Sequence, residues 1–180
     1  MKLNTKTKNL LIACGAVAAF IGFAYLLKKK GKAMAQTVKK AVTGKYFTIS
    51  ELSKTNQKLD NTPTDAAKEN LQLLIDNVLD PLREAYGKPI LVSSGYRSAA
   101  VNKAVGGAAN SQHTKGQAAD LTTRQGKEGN KRLFEIIRSQ GGFDQLINEK
   151  DYSWVHVSFN PNGNRGEVLR YDGKKYYKMT

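Results

Sequence analysis

Residues 111–120 have the sequence SQHTKGQAAD, which contains one of the two histidines of the 180-residue chain. Gly116 lets the backbone turn, and the two consecutive alanines after it allow close packing against a neighbouring strand. His113 can therefore close a loop, while Asp120 emerges on the strand that follows. The stretch predicts a loop-to-strand transition that brings an imidazole and a carboxylate toward one place.

The second histidine, His156, lies in the alternating segment 154–159, which has the sequence WVHVSF. A catalytic zinc ion takes three protein ligands with nitrogen or oxygen donors and keeps a fourth position for water. His113, Asp120 and His156 would supply such a set if their two strands were neighbours. From spacing alone, either histidine could equally be a packed, hydrogen-bonded residue, because short His-to-Asp spacings arise by chance.

Apolar residues recur at helical spacing over 64–86, which predicts an amphipathic helix that begins near Thr62-Pro63. Pro81 is expected to kink or end the regular part of this helix, because proline lacks the backbone N–H. A second amphipathic helix is predicted over 128–140 and is closed by Gly141-Gly142.

Strands are predicted at 90–94, at 143–148 and at 154–159. A hairpin over 168–179 is expected to turn at Asp172-Gly173. Helices packed on a mostly antiparallel sheet make the predicted fold class α+β.

The N-terminal part of the sequence predicts a membrane anchor. Residues 9–27 carry no charge, and a helix of this length rises about 28 Å, enough to cross a bilayer core of about 30 Å. The predicted organisation is therefore a short basic N-terminus (1–8), a transmembrane anchor (9–27), a basic tether (28–45) and a globular domain (46–180). The protein is expected to be a single-pass membrane protein that contacts a lipid bilayer. Lysines are more numerous on the C-terminal flank of the anchor, which favours a cytoplasmic domain.

Most of the net charge of +14 belongs to the N-terminal arm rather than to the globular domain. Ten lysines and no acidic residue precede Tyr46, whereas 19 basic residues face 15 acidic ones in the rest of the chain. A nucleic-acid-binding domain would carry a basic face on its folded part, so no specific nucleic-acid partner is expected. The single cysteine, Cys14, excludes an intrachain disulfide framework and a cysteine-based zinc cluster.

Together these segments resemble the zinc D-Ala-D-Ala carboxypeptidase family, of the peptidase M15 type, which shares its fold with hedgehog signalling domains. The resemblance covers about Tyr46 to Phe159. Its motifs are His113-x-x-Gly116-x-Ala118-x-Asp120, Trp154-Val155-His156, Ser94-Gly95-Tyr96-Arg97-Ser98, Phe47-Thr48-Ile49-Ser50-Glu51-Leu52, Asn61-Thr62-Pro63 and Val78-Leu79-Asp80-Pro81-Leu82-Arg83.

The resemblance implies a zinc cofactor bound by His113, Asp120 and His156, and a substrate in the stem peptides of bacterial peptidoglycan. It also implies that Arg97 holds the substrate or the developing oxyanion, although an arginine at a strand end can equally form a structural ion pair. The activity would be that of a carboxypeptidase or an endopeptidase, in the bacterial envelope or in a phage lytic enzyme, including one carried in a virion membrane.

The general base is the least determined part of the predicted site. Some relatives place a glutamate three residues before the last histidine, where this chain has Ser153. Glu149 is the first candidate and Asp151 the second, and either could instead be a solvated turn carboxylate. Ser111 and Gln145, which flank the ligand-bearing segments, are expected to orient the imidazoles and to contact substrate.

Two other interpretations stay open. The chain could be a membrane-tethered, zinc-containing module that binds peptidoglycan without turnover. Alternatively, the anchor could dominate the function by holding a lytic domain at a membrane. Oligomeric state does not follow from the sequence.

Overall fold

Six strands form one sheet in residues 44–179, the part of the chain that the computed structural model describes. They are β1 (Leu91–Ser94), β2 (Ala118–Thr122), β3 (Gln145–Glu149), β4 (Trp154–Ser158), β5 (Glu167–Tyr171) and β6 (Tyr176–Lys178). Their order across the sheet is β1-β2-β4-β3-β5-β6. Every pairing is antiparallel except that of β3 with β5, which confirms the mostly antiparallel sheet.

Five α-helices accompany the sheet within the described residues. They are α1 (Ile49–Leu52), α2 (Asp65–Leu74), α3 (Asp80–Tyr86), α4 (Ala99–Ala104) and α5 (Gly126–Gln140). Helix α5 packs against strands β2, β3 and β4 and against helix α3. This arrangement of helices on an antiparallel sheet confirms the α+β class.

The two faces of the sheet have different compositions because successive strand residues point to opposite sides. One face packs on the helices and is apolar. Its fully buried members are Ala119, Leu121, Leu146, Val155 and Val157. The other face carries Asp120 and His156, which are directly paired between β2 and β4. The core on one side of the sheet therefore supports the polar cluster on the other side.

The predicted helix over 64–86 is present, and its regular α geometry is interrupted just before Pro81, as expected, although the helix does not end there. Thr64 caps its start, since the Thr64 hydroxyl accepts a hydrogen bond from the backbone N–H of Ala67. A π-helical turn, Ile75–Leu79, then joins α2 to α3. In this wider turn the N–H of Asp80 donates to the carbonyl of Ile75. The wider turn immediately before Pro81 accommodates the proline ring, so the helix continues to Tyr86.

The predicted membrane anchor, residues 9–27, lies outside the described residues, as do residues 1–8 and almost all of the tether. These segments stay predictions. Among the helices of residues 44–179, none combines the length and the apolar character needed to cross a membrane.

Candidate metal centre

His113, Asp120 and His156 come together from three different elements. His113 lies in a 3-10 turn (Gln112–Lys115), Asp120 on β2 and His156 on β4. Gly116 ends the turn with a left-handed φ of 71°, which redirects the chain into β2. One ligand atom from each of the three side chains lies within 4.8 Å of the others.

The spacing of these atoms fits a zinc ion. Nε2 of His113 lies 3.3 Å from Nδ1 of His156 and 3.3 Å from Oδ1 of Asp120, and the last two atoms are 2.9 Å apart. Ligands about 2.0–2.1 Å from a tetrahedral zinc ion are about 3.3 Å from one another. Two imidazoles and one carboxylate also match the donor types of catalytic zinc sites. This donor set and its spacing therefore fit the predicted zinc cofactor.

The orientation of His113 is fixed by the backbone of Gly95. Nδ1 of His113 lies 2.6 Å from the carbonyl oxygen of Gly95. A carbonyl can only accept, so Nδ1 carries the proton and the lone pair of Nε2 faces the cluster. The Gly95 carbonyl thus orients a ligating imidazole, a role that the sequence assigned to other residues.

Neither Ser111 nor Gln145 contacts a ligating imidazole, although both line the cleft around the cluster. The amide of Gln145 instead donates to Oε2 of Glu167 over 2.7 Å. Among residues 44–179 the orienting hydrogen bond to His113 comes from the backbone of Gly95 instead. Roles of Ser111 and Gln145 in orienting His156 or in contacting substrate stay predictions.

Arg97 forms an ion pair with a predicted zinc ligand and also lines the cleft. Its Nη2 donates to Oδ2 of Asp120 over 3.1 Å, and its Nε donates to the hydroxyl of Ser94 over 3.0 Å. The contact with Oδ2 leaves Oδ1 of Asp120 facing the imidazoles. Its Nη1 donates a long hydrogen bond of 3.5 Å to Oδ1 of Asn102. These three bonds use three of the five guanidinium N–H groups, so two have no acceptor among residues 44–179.

The carboxylate of Asp120 is buried, and burial opposes its ionisation. The imidazoles of His113 and His156 outweigh that effect and hold the pKa of the carboxyl well below its usual range. Asp120 is therefore ionised at neutral pH and is available as an anionic ligand.

Glu149 lies at the C-terminal end of β3 on the same face of the sheet as the cluster. Ile147 pairs with His156, and Glu149 is two residues further along the strand. Its side chain is largely buried, lines the cleft and has no hydrogen-bond partner within the described part of the chain. Burial raises the pKa of the Glu149 carboxyl, and the nearby Asp120 carboxylate adds to the increase, whereas His156 opposes it.

Asp151, the second candidate for the general base, is not brought to the cluster. Its side chain is 80% exposed and forms a 2.8 Å ion pair with Lys127. It lies in the turn between β3 and β4, where its φ of 55° places it in the left-handed region. It is absent from the residues that line the metal-site cleft.

The cleft has a volume of about 980 Å³ and contains residues that the sequence did not predict. Asp144, with 1% of its surface exposed, accepts a 2.6 Å hydrogen bond from Nη2 of Arg165 and a 3.0 Å one from Gln112, the neighbour of His113. The rings of Tyr171 and Tyr176 form another wall. No local motif indicates Arg165, Tyr171 or Tyr176, because the C-terminal segment that carries them reaches the cleft only through the pairing of β5 with β3.

Comparison with known proteins agrees with this site. A family model described as Peptidase M15 matches residues 45–158. Over 103 residues, the chain is 38% identical to the zinc D-Ala-D-Ala carboxypeptidase of Streptomyces albus G. That alignment covers 56% of this chain and 39% of the relative, so the chain spans well under half the length of the curated relative that it matches.

Proposed function

Because the chain belongs to the peptidase M15 family, we propose that it is a zinc metallopeptidase that hydrolyses peptide bonds in the stem peptides or cross-links of bacterial peptidoglycan. The observation that carries this proposal is the position of Glu149. An ionisable, unpartnered carboxyl shares one sheet face and one cleft with a three-ligand zinc site. The name of the relative, a D-Ala-D-Ala carboxypeptidase, supports the substrate class.

Bound zinc would supply Lewis acidity, which polarises a carbonyl and lowers the pKa of a water molecule to about 7. Glu149 accepts the proton of the attacking water as the C–O bond forms, and it then passes this proton to the amide nitrogen as the C–N bond breaks. Its raised pKa suits it to both halves of this transfer. Asp151 takes no part, because it lies outside the cleft.

Arg97 has two roles in this proposal. Its contact with Oδ2 of Asp120 orients the carboxylate ligand. Its two unused N–H groups are available to the carbonyl oxygen of the scissile amide, which gains negative charge in the transition state. The ion-pair and substrate-binding interpretations of this residue are therefore compatible.

The test uses the full-length chain purified in mild detergent. Bound zinc is quantified, and the protein is incubated with purified peptidoglycan while released peptides are followed by mass spectrometry. We expect about one zinc ion per chain and new peptide ends, both lost after His113→Ala. The identity of the new ends separates a carboxypeptidase from an endopeptidase. If zinc is bound but no new peptide ends are released from peptidoglycans of several cross-link types, the proposal is wrong and the chain is a binding module without turnover.

We further propose that residues 9–27 anchor the enzyme in a bilayer, as a single-pass protein of the bacterial envelope or of a phage virion membrane. The proposal rests on the 19 uncharged residues and on the lysines that flank them. Their distribution favours a cytoplasmic catalytic domain, which would reach the wall only upon lysis or entry. Protease treatment of intact cells tests the orientation, and digestion of the domain from outside would refute the cytoplasmic placement.

A further inference from the structure

The C-terminal hairpin contributes to the cleft although it lies outside the family match. The match ends at residue 158, whereas β5 and β6 occupy Glu167–Tyr171 and Tyr176–Lys178. Tyr171 and Tyr176 nevertheless line the same cleft as the zinc ligands. This wall is therefore a feature of this chain beyond the matched region.

Strand register places the two tyrosines beside Glu149. In the parallel pairing of β3 with β5, Tyr171 is aligned with Glu149. In the antiparallel hairpin, Tyr171 is paired with Tyr176. The two rings are stacked, with their centroids 4.5 Å apart and their planes at 27°. They form a continuous aromatic surface next to the proposed base.

The next residue, Tyr177, is a tyrosine of the same hairpin whose hydroxyl and ring both have partners within the protein. Its hydroxyl donates to Oδ2 of Asp172 over 2.9 Å, and the cationic groups of Arg170 and Lys175 lie about 5 Å from the centre of its ring. Tyr176 is different. It is 55% exposed, and its hydroxyl has no acceptor or donor among the described residues. An exposed ring with an unused hydroxyl inside a cleft is suited to a ligand.

We propose that Tyr171 and Tyr176 form an aromatic subsite that holds the peptide segment next to the scissile bond. The identity of that peptide rests on the proposed function. The exposed ring of Tyr176 packs against a small aliphatic side chain such as that of alanine, and its hydroxyl donates a hydrogen bond to a peptide carbonyl. A tyrosine hydroxyl ordinarily has a pKa of about 10 and is a donor at neutral pH. Partial burial of the Tyr176 hydroxyl and the nearby Glu149 carboxylate raise its pKa further.

The test measures binding separately from hydrolysis. Full-length protein carrying Glu149→Gln is titrated with a synthetic stem pentapeptide ending in D-Ala-D-Ala. The fluorescence of Trp154, the single tryptophan of the chain and a residue of the cleft wall, reports binding. Tyr176→Ala and Tyr176→Phe are compared with Tyr177→Ala, which changes the adjacent residue on the opposite face of β6. Zinc content and circular dichroism check that each variant is folded.

We expect Tyr176→Ala to weaken binding about tenfold and Tyr176→Phe about threefold, because the ring contact and the hydrogen bond are lost separately. Tyr177→Ala should stay within about twofold of the parent protein. Equal binding by Tyr176→Ala and the parent would overturn the subsite. So would equal weakening by Tyr177→Ala, or no binding by the parent at all.

Failure of the subsite and failure of the proposed function give different results. If the wild-type chain releases peptides from peptidoglycan and Tyr176→Ala releases them with the same KM, only the subsite is refuted. If pentapeptide binding depends on Tyr176 but no peptide is released, only the proposed hydrolysis is refuted.

Discussion

The carbonyl oxygen of Gly95 accepts a 2.6 Å hydrogen bond from Nδ1 of His113, which couples the residue after β1 to the metal centre. The same position is packed against the N-terminal part of the domain, because the N–H of Tyr96 donates to the carbonyl of Leu52 over 2.7 Å. A Cβ atom on residue 95 would overlap that Leu52 carbonyl oxygen. A side chain at residue 95 would therefore displace the backbone whose carbonyl orients His113.

Gly95→Ala is expected to lower zinc affinity about 10- to 100-fold, because the backbone must shift and the His113 imidazole loses its orienting acceptor. Competition with a chelator measures the affinity. Gly87→Ala is the matched control. It introduces a side chain at a φ of 74° with open space around it, so it should cost about 1 kcal/mol of stability without changing zinc affinity. Equal zinc affinity in both variants would contradict the role of Gly95.

Glu149→Gln is expected to lower kcat about 10²- to 10⁴-fold while zinc stays bound, because the amide cannot accept the proton of the attacking water. Asp151→Asn should leave kcat within about twofold, since Asp151 is exposed and paired with Lys127. Released peptides and zinc content are measured for both variants. A large loss in Asp151→Asn with full activity in Glu149→Gln would reverse the assignment of the base.

The pH dependence of stability of the metal-free protein is expected to reflect the burial of Glu149. Burial raises the pKa of this carboxyl above 4.5, the ordinary value of the side chain, so the folded state keeps the proton to higher pH than the unfolded state does. The free energy of unfolding therefore falls as pH rises through that interval, and this fall is absent in Glu149→Gln. Urea denaturation of both proteins after chelator treatment measures the effect, and an identical pH dependence of the two would contradict this prediction.

The three candidate ligands lie in segments with their own local patterns, and the family resemblance then selected the zinc interpretation over that of packed histidines. The turn at Gly116 and the alternation around His156 both indicate the elements that the structure contains. Local pattern could only rank Glu149 before Asp151, because the two residues are close together at the end of one predicted strand. Sheet register separates their positions and supports Glu149, since Glu149 ends β3 on the cleft face and Asp151 lies in the turn.

The remaining parts of the cleft depend on contacts that no local pattern encodes. Arg165 reaches Asp144 across 21 residues of sequence, and Tyr171 reaches Glu149 through the parallel pairing of β3 with β5. The orienting acceptor for His113 is a backbone carbonyl, which every residue possesses. For this reason the role of the Gly95 carbonyl could be found only from the three-dimensional structure.

Arg165→Leu is expected to lower the free energy of unfolding at pH 7 by about 2 kcal/mol, because the buried Asp144 carboxylate loses its charged partner but keeps Gln112. The Arg165 hydrogen bonds hold the pKa of Asp144 below its usual range. The stabilisation is therefore complete above about pH 4 and is lost as pH falls toward the lowered pKa. Urea denaturation from pH 7 down to acidic pH measures both effects. Equal stability of wild type and variant across this range would contradict the prediction.

Three consecutive residues of the β3–β4 turn are left-handed, with φ values of 46° at Lys150, 55° at Asp151 and 57° at Tyr152. This conformation costs about 1–2 kcal/mol for a residue with a side chain. The structure holds it through Asn148, whose Oδ1 accepts a 2.6 Å hydrogen bond from the N–H of Tyr152, and through Asn130, whose amide donates to the Tyr152 carbonyl over 2.9 Å.

Asp151→Gly is therefore expected to raise the free energy of unfolding by about 0.5 kcal/mol, because relief of the left-handed strain exceeds the entropy that glycine adds to the unfolded chain. The lost ion pair with Lys127 is exposed and contributes little.

Tyr152→Gly relieves the same strain but removes the edge-to-face contact with Phe134, whose ring centre is 5.6 Å away, so it should destabilise the protein by about 3 kcal/mol. Thermal unfolding of both variants measures the difference. Destabilisation by Asp151→Gly would show that the Asp151 side chain supports the turn, and a loss of hydrolysis in that variant would return Asp151 to the catalytic site.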